Sequence, residues 1–67
     1  MIYKKVSEQI REVRKARGIS QEQLAEPSHL STQHISFIEQ DRRKPQLKTL
    51  FKIATALGVR VKDLIPF

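Results

Sequence analysis

The stretch Ile19–Gln40, ISQEQLAEPSHLSTQHISFIEQ, contains the start and stop signals of two short helices with a turn between them. Ser20 and Gln23 form a capping-box pattern, in which each side chain accepts a hydrogen bond from the backbone amide of the other residue. The first helix should therefore begin after Ser20 and end before Pro27, because proline has no amide hydrogen and its ring collides with the carbonyl four residues earlier. Ser31 is the expected cap of the second helix.

The second helix of this stretch is predicted from about Thr32 to Gln40. Ile35 and Ile38 lie three positions apart and are expected to face the core. The opposite face is a single stripe of uncharged side chains, namely Thr32, Gln33, Ser36, Phe37 and Gln40. An ordinary solvated face remains an alternative for this stripe, although such a face more often carries lysine and glutamate.

These residue types suit the edges of DNA bases. Glutamine can bind two edge atoms of adenine, serine and threonine can contact any base, and an aromatic ring can touch the thymine methyl group. Two helices this short and this close are typical of a helix-turn-helix, whose second helix enters the major groove. Three interpretations stay open for Phe37: contact with a thymine methyl group, a surface for a partner protein, or partial burial under the following loop.

One further helical segment precedes this pair. It runs from about Lys5 to Arg17 and carries Val6, Ile10 and Val13 at helical spacing. Gly18 supplies the left-handed residue that commonly ends a helix.

Two further segments follow the pair. The first begins after Pro45 and ends at Gly58, and the second runs from about Val61 to Ile65, where Pro66 stops it. The expected core stripe of the longer segment is Leu47, Leu50, Phe51, Ile53, Ala54 and Leu57. The sequence therefore predicts an all-α fold, a compact five-helix bundle that forms one DNA-binding domain over residues 1–67.

Composition bounds the class of protein. The 67 residues include 13 Lys and Arg against 7 Asp and Glu, a net charge of +6 that favours polyanionic partners such as nucleic acid. No cysteine is present, which excludes disulfides and thiolate metal sites. No apolar run approaches the ~20 residues that a membrane helix needs. We expect a cytoplasmic protein of a bacterium or phage, associated with the nucleoid, with no cofactor and no bound metal.

Phosphate contacts are expected on either side of the reading stripe. Helix N-termini present free amides and the positive end of a dipole to phosphate, and Gln21 and Ser31 lie at two such ends. The basic run Arg42, Arg43 and Lys44 directly follows the second helix. A charge run is often only solvated, but its position beside the stripe favours contact with the DNA backbone.

Dimerisation is predicted from the carboxyl end of the sequence. Leu64, Ile65 and Phe67 form an apolar group on a segment too short to bury it, which favours a symmetric partner. Two recognition helices would then lie one DNA turn, roughly 34 Å, apart.

Several runs of this sequence together resemble the phage repressor and Cro (XRE-like) family of helix-turn-helix regulators. They are ISQEQLAE at 19–26, Leu30-Ser31, ISFIE at 35–39, Pro45, Leu47, Thr49-Leu50 and KIATALGV at 52–59. The similarity covers roughly residues 6–65. It implies a lambda-repressor-like five-helix fold and transcriptional control, most often repression, by a dimer on a palindromic operator.

The resemblance also implies roles for particular residues. Gln21 matches a position that touches the DNA backbone, and Thr32, Gln33, Ser36 and Phe37 match base-reading positions. Arg14 and Glu39 match an ion pair that ties the first helix to the third.

Four positions depart from the pattern of this family. Pro27 replaces a helical residue, His29 and Asp41 replace glycines with left-handed backbones, and Arg60 replaces the usual serine or threonine cap of the last helix. Strained or altered turns and a frayed or shifted last helix are therefore expected.

Two classes of function stay open beside each other. One is an operator-binding regulator, and the other is a protein-interaction or antitoxin-like module that docks a partner on Phe37 and the surface of the fourth helix. We expect no enzymatic activity. His29 and His34 come with no clustered carboxylates, and Ser20 and Ser31 are better explained as helix caps.

Overall fold

The computed structural model describes residues 5–66, which form four α-helices and one short 3-10 helix. In chain order these are α1 (Val6–Ala16), α2 (Gln21–Ala25), α3 (Thr32–Glu39), α4 (Leu47–Leu57) and the 3-10 helix η1 (Val61–Leu64). No strand occurs among the described residues. The predicted all-α class is confirmed.

The prediction of a fifth α-helix is wrong, because the last segment is a single 3-10 turn. Its backbone bonds join residues three apart: the Asp63 amide donates to the Arg60 carbonyl at 2.9 Å, and the Ile65 amide donates to the Lys62 carbonyl at 3.3 Å. Pro66 prevents further turns, and short isolated pieces commonly adopt this tighter geometry.

Caps fix where the short helices begin. The Ser20–Gln23 capping box is formed, with both reciprocal hydrogen bonds present at 3.0 and 2.8 Å. The Ser31 hydroxyl accepts from the His34 amide at 3.0 Å, as predicted for the start of α3. At η1 the expected weak cap is compensated, since the Asp63 carboxylate accepts from the Arg60 amide at 3.0 Å.

All five helices contribute to one hydrophobic core. Its buried members are Ile10, Leu24, Ala25, Ile35, Ile38, Leu50, Ile53, Ala54, Leu57 and Leu64. The predicted core stripe of α4 is wrong at two positions, because Leu47 is 61% exposed and Phe51 is 56% exposed. At about 100° per residue, Phe51 lies about 100° around the helix from the buried Leu50, and Leu47 about 60° away on the same side. The predicted stripe spans more of the circumference of α4 than the neighbouring elements cover.

Leu64 is a correction to the expected dimer surface. It is fully buried in the core, so its side chain is not available to a second copy. Ile65 is half-buried, and Phe67 lies outside the described residues. Of the apolar group predicted at the carboxyl end, Leu64 therefore belongs to the core of the fold.

The turn between α2 and α3 continues the helical path past Pro27. The Ser28 side chain is fully buried, and its hydroxyl lies 2.7 Å from the Leu24 carbonyl oxygen and 3.0 Å from that of Ala25. His29 then takes a left-handed backbone with φ of 58°. Asp41, after α3, is also left-handed with φ of 59°. Both turns thus keep the conformation that glycine usually supplies, at the expected cost in strain.

Within residues 5–66, no helix has both the length and the apolar character required to cross a lipid bilayer.

Candidate nucleic-acid interface

A buried ion pair holds the back of α3. Arg14 on α1 makes two parallel hydrogen bonds to the Glu39 carboxylate, from Nε to Oε2 at 2.7 Å and from Nη2 to Oε1 at 2.9 Å. The two side chains are only 9% and 2% exposed. Arg14 also donates from Nη1 to the Ile19 carbonyl at 2.8 Å, so it joins α1, the following turn and α3. The pair implied by the family resemblance is thus formed.

Gln21 takes part in the same network. Its Nε2 donates to the Glu39 Oε1 at 3.1 Å, and the side chain is half-buried. A phosphate contact is the role expected of this residue from the sequence. The structure instead places one of its amide hydrogens on Glu39, which leaves the second hydrogen of the same NH₂ group as the donor for a phosphate. Glu39 therefore orients the first residue of α2 as well as the end of α3.

The candidate base-reading residues lie on the side of α3 away from the core. Thr32, Gln33 and Gln40 are exposed, and Ser36 and Phe37 are half-buried. Ile35 and Ile38, by contrast, are buried. Gln40 donates from Nε2 to the Ser36 hydroxyl at 2.8 Å, so these two side chains are coupled in the free protein. The five residues form one continuous uncharged surface, called the reading face below.

Phe37 is partly covered by the loop that follows α3. The Arg42 guanidinium lies 5.5 Å from the centre of the Phe37 ring, a cation–π geometry. The Arg42 amide also donates to the Phe37 carbonyl at 2.9 Å. Of the three interpretations of Phe37, partial burial under the loop describes the free protein. The ring still borders the reading face, and it holds a cation beside that face.

The other candidate phosphate residues flank the reading face. Arg42, Arg43 and Lys44 are all exposed in the loop between α3 and α4. An ion pair of 3.2 Å between Lys5 and Asp41 ties the start of this loop to the beginning of α1. The Ser31 hydroxyl oxygen accepts the capping bond, and its proton can still be donated to a phosphate.

A polar cleft of about 210 Å³ lies beside α3, and the sequence alone did not predict it. Its lining residues are His34, Arg43, Lys44, Pro45, Gln46 and Thr49. They come from α3, from the loop between α3 and α4 that carries Arg42, Arg43 and Lys44 (called the basic loop below), and from the start of α4. A helical-wheel argument was available, because His34 lies about 60° around α3 from Phe37 and thus on the flank of the reading face. The part played by α4 depends on tertiary packing.

This arrangement suits a double-helical polyanion. An uncharged convex face can enter a groove about 12 Å wide and present hydrogen-bonding groups to base edges. Exposed cations in the loop that follows the same helix are able to pair with phosphates that border such a groove. Among residues 5–66 no group of three or more histidines and carboxylates is close enough to hold a metal ion.

One protein-family model matches most of the chain. The model, described as helix-turn-helix, matches residues 10–64. The immunity repressor protein of Bacillus phage phi105 is 42% identical over 60 residues, which are 90% of this chain and 42% of that protein. A transcriptional regulator from Deinococcus deserti is 34% identical, over 91% of this chain and 47% of its own length. The chain therefore spans less than half the length of these two curated relatives.

Solved structures of similar shape include regulators. The restriction-modification controller protein C.AhdI from Aeromonas hydrophila has a TM-score of 0.87 and 35% identity, covering 90% of this chain and 91% of that one. The P22 c2 repressor, solved in complex with a synthetic operator, has a TM-score of 0.84 and 27% identity, covering 94% and 96%. The resemblance noted in the sequence is confirmed by these matches.

Proposed function

The chain belongs to the helix-turn-helix family of phage-repressor type, and from this membership we propose that it binds double-stranded DNA sequence-specifically to regulate transcription. The proposed mode is repression by a dimer on a palindromic operator, with α3 inserted in the major groove. Such a protein acts on chromosomal or phage DNA in the cytoplasm.

The observation that carries the proposal is the reading face. Five uncharged side chains point away from the core on a helix that a buried Arg14–Glu39 pair holds from behind. A buried pair of this kind adds little net stability, because desolvation opposes the attraction between the charges. Its value here is positional, since base readout requires α3 to keep one orientation relative to the phosphate contacts.

Two substitutions separate base reading from backbone binding. The duplex used is one selected from random DNA by binding to the protein, and the comparison is a scrambled duplex of the same length. We expect Gln33→Ala to weaken binding to the selected duplex by about 1–3 kcal/mol and to relax sequence preference at one position. Arg43→Ala should weaken binding to both duplexes by similar factors, because a phosphate contact carries no sequence information.

Controls follow from the exposure of other residues. Arg11→Ala removes an exposed arginine on α1 outside the basic loop and the cleft, and should change affinity less than Arg43→Ala. Circular dichroism and urea unfolding check that each variant keeps its fold. Equal loss on selected and scrambled duplexes for Gln33→Ala would contradict direct readout by α3.

The dimer contact is proposed for a different surface, because one of the three residues predicted for it, Leu64, is buried. With Leu64 buried, the exposed large hydrophobic side chains among the described residues are Leu47 and Phe51. They lie four residues apart on α4 and thus form one patch. We assign the contact with a second copy to this patch, because large exposed apolar groups favour association and a palindromic site requires two protomers.

The same patch favours the second candidate function, a protein-interaction or antitoxin-like module. Salt distinguishes the two. DNA binding loses affinity steeply as salt rises, because bound counterions are released from the duplex, whereas apolar docking does not depend on salt in this way. A partner bound equally tightly at low and high salt, with no retention of DNA, would favour the second function over the first.

A further inference from the structure

The turn that ends α3 has the hydrogen bonds of a Schellman motif. Asp41 is the left-handed residue, and its amide donates to the Ile38 carbonyl at 3.1 Å. The next amide, that of Arg42, donates to the Phe37 carbonyl at 2.9 Å. In this motif the residue after the left-handed one often packs against the residue whose carbonyl it reaches. The backbone therefore returns Arg42 to the side of α3 that carries Phe37, a member of the reading face.

The side chain of Arg42 makes that contact. Its guanidinium carbon lies 5.5 Å from the centre of the Phe37 ring, within the range of a cation–π interaction. Arginine carries five N–H donors in a planar fork. Among residues 5–66, no side chain or carbonyl accepts a hydrogen bond from this guanidinium, and Arg42 is exposed. The fork is thus held beside the reading face with its donors available.

The neighbouring carboxylate does not compete for the fork. Asp41 Oδ2 pairs with Lys5 Nζ at 3.2 Å, which directs this negative charge toward the start of α1. An acidic group bound to Arg42 would have to be displaced before the arginine could bind DNA. The ion pair with Lys5 therefore leaves Arg42 free to act.

The three cations of the basic loop have different surroundings. Arg43 and Lys44 line the cleft that Gln46 and Thr49 of the α4 side complete, and Arg42 is not part of that lining. Only Arg42 among the three contacts a residue of the reading face. The loop therefore places one cation beside the base-reading residues and two beside α4.

We infer that Arg42 reads a guanine base and that Phe37 is the positioning residue that holds its guanidinium for this contact. The inference rests on the proposed function, and it replaces the phosphate contact expected of Arg42 from the sequence. Guanine presents two acceptors, O6 and N7, at its major-groove edge, and the arginine fork binds both. An arginine already held against a ring loses less side-chain entropy when it binds than a freely moving one. An aromatic ring on an otherwise polar face then has a role without touching a base.

The experiment repeats the selection from random duplex DNA with the unmodified protein, Arg42→Ala and Arg43→Ala. Arg43→Ala is the matched control, because it removes the same charge from the same loop without touching the ring. We expect Arg42→Ala to lose the preference for guanine at one position, and Arg43→Ala to bind more weakly but to keep it. The guanine at that position is then replaced by 7-deazaguanine, which lacks the N7 acceptor. This replacement should weaken binding of the unmodified protein and of Arg43→Ala by about tenfold, and that of Arg42→Ala not at all.

Two substitutions of Phe37 test its positioning role. Phe37→Leu keeps an apolar side chain but removes the ring, so it should reduce the loss caused by 7-deazaguanine to a few-fold. Phe37→Tyr keeps the ring and should restore the full loss. A purely structural role of Phe37 would change the affinity for both duplexes and leave the ratio between them unchanged. Circular dichroism and urea unfolding check the fold of each variant.

The possible failures are distinguishable. If Arg42→Ala weakens binding to selected and scrambled duplexes alike and keeps every guanine, Arg42 binds phosphate, and the inference is overturned while the proposed function stands. An undiminished response to 7-deazaguanine in Phe37→Leu would also overturn it, because the base contact would not depend on the ring. An unmodified protein that selects no sequence from random DNA would overturn the inference and the proposed function together.

Discussion

His29 stands in a backbone conformation that L-residues rarely adopt, with φ of 58°. A side chain there clashes with the following carbonyl oxygen, at a cost of roughly 1–2 kcal/mol, although glycine gives back part of this through its greater freedom in the unfolded chain. We predict that His29→Gly raises the free energy of unfolding by about 0.5–1 kcal/mol, measured by urea denaturation. His29→Ala is the control, because it removes the imidazole but keeps the clash. Equal stability of the two variants would show that strain at this position is negligible.

How well the role of a single residue could be predicted depends on whether that role is set by nearby residues or by contacts between helices. The left-handed turns at His29 and Asp41 were predictable from the family resemblance, because both residues replace glycines of its pattern. The Arg14–Glu39 pair joins residues 25 positions apart and came from the resemblance alone. The bond from Gln21 to Glu39 and the place of His34 in a cleft depend on how helices pack, and no local signal in the sequence carries that information.

The short helix α3 depends on its cap. With only eight residues it cannot be stable alone, so the bond from Ser31 to the His34 amide matters for the whole element. We predict that Ser31→Ala lowers the free energy of unfolding by about 1 kcal/mol. Ser36→Ala is the matched control on the same helix and should change stability by less than about 0.5 kcal/mol, as is usual for residues near the surface.

The two serine variants should separate again in DNA binding. Ser36→Ala removes a hydroxyl from the reading face and should weaken binding to the selected duplex more than to a scrambled one. Ser31→Ala removes a candidate phosphate contact together with the cap, so its effect on the two duplexes should be similar. Identical stability of both variants in urea would contradict the capping role of Ser31.

At the level of elements, boundaries were easier to predict than buried faces. Glycines, prolines and serine caps act within a few residues, and they gave the ends of α1 to α4 to within about two residues. The face of α4 was predicted too widely, because periodicity shows that a helix is amphipathic but not how much of its apolar side neighbours can cover. The last segment was predicted as an α-helix because Pro66 marks its end but not its hydrogen-bond pattern.

For the whole molecule, the decisive question is whether two copies associate through α4. We predict that Phe51→Ser raises the dimer dissociation constant by about tenfold or more, because a half-exposed phenylalanine on each protomer would lose its apolar contact. Sedimentation equilibrium over a range of concentrations measures this. Thr55→Ser, exposed one turn further along the same helix, should leave association unchanged. An unmodified protein that stays monomeric at every concentration, with and without DNA, would contradict the dimer.

The attachment of α3 determines how freely its outer surface can be exchanged. Ile35, Ile38 and Glu39 secure the helix from one side, and none of them belongs to the reading face. The residues of the reading face can therefore be substituted with little effect on folding. A small scaffold built in this way can acquire new target preferences through a few substitutions, so divergence among its descendants should concentrate on that outward surface.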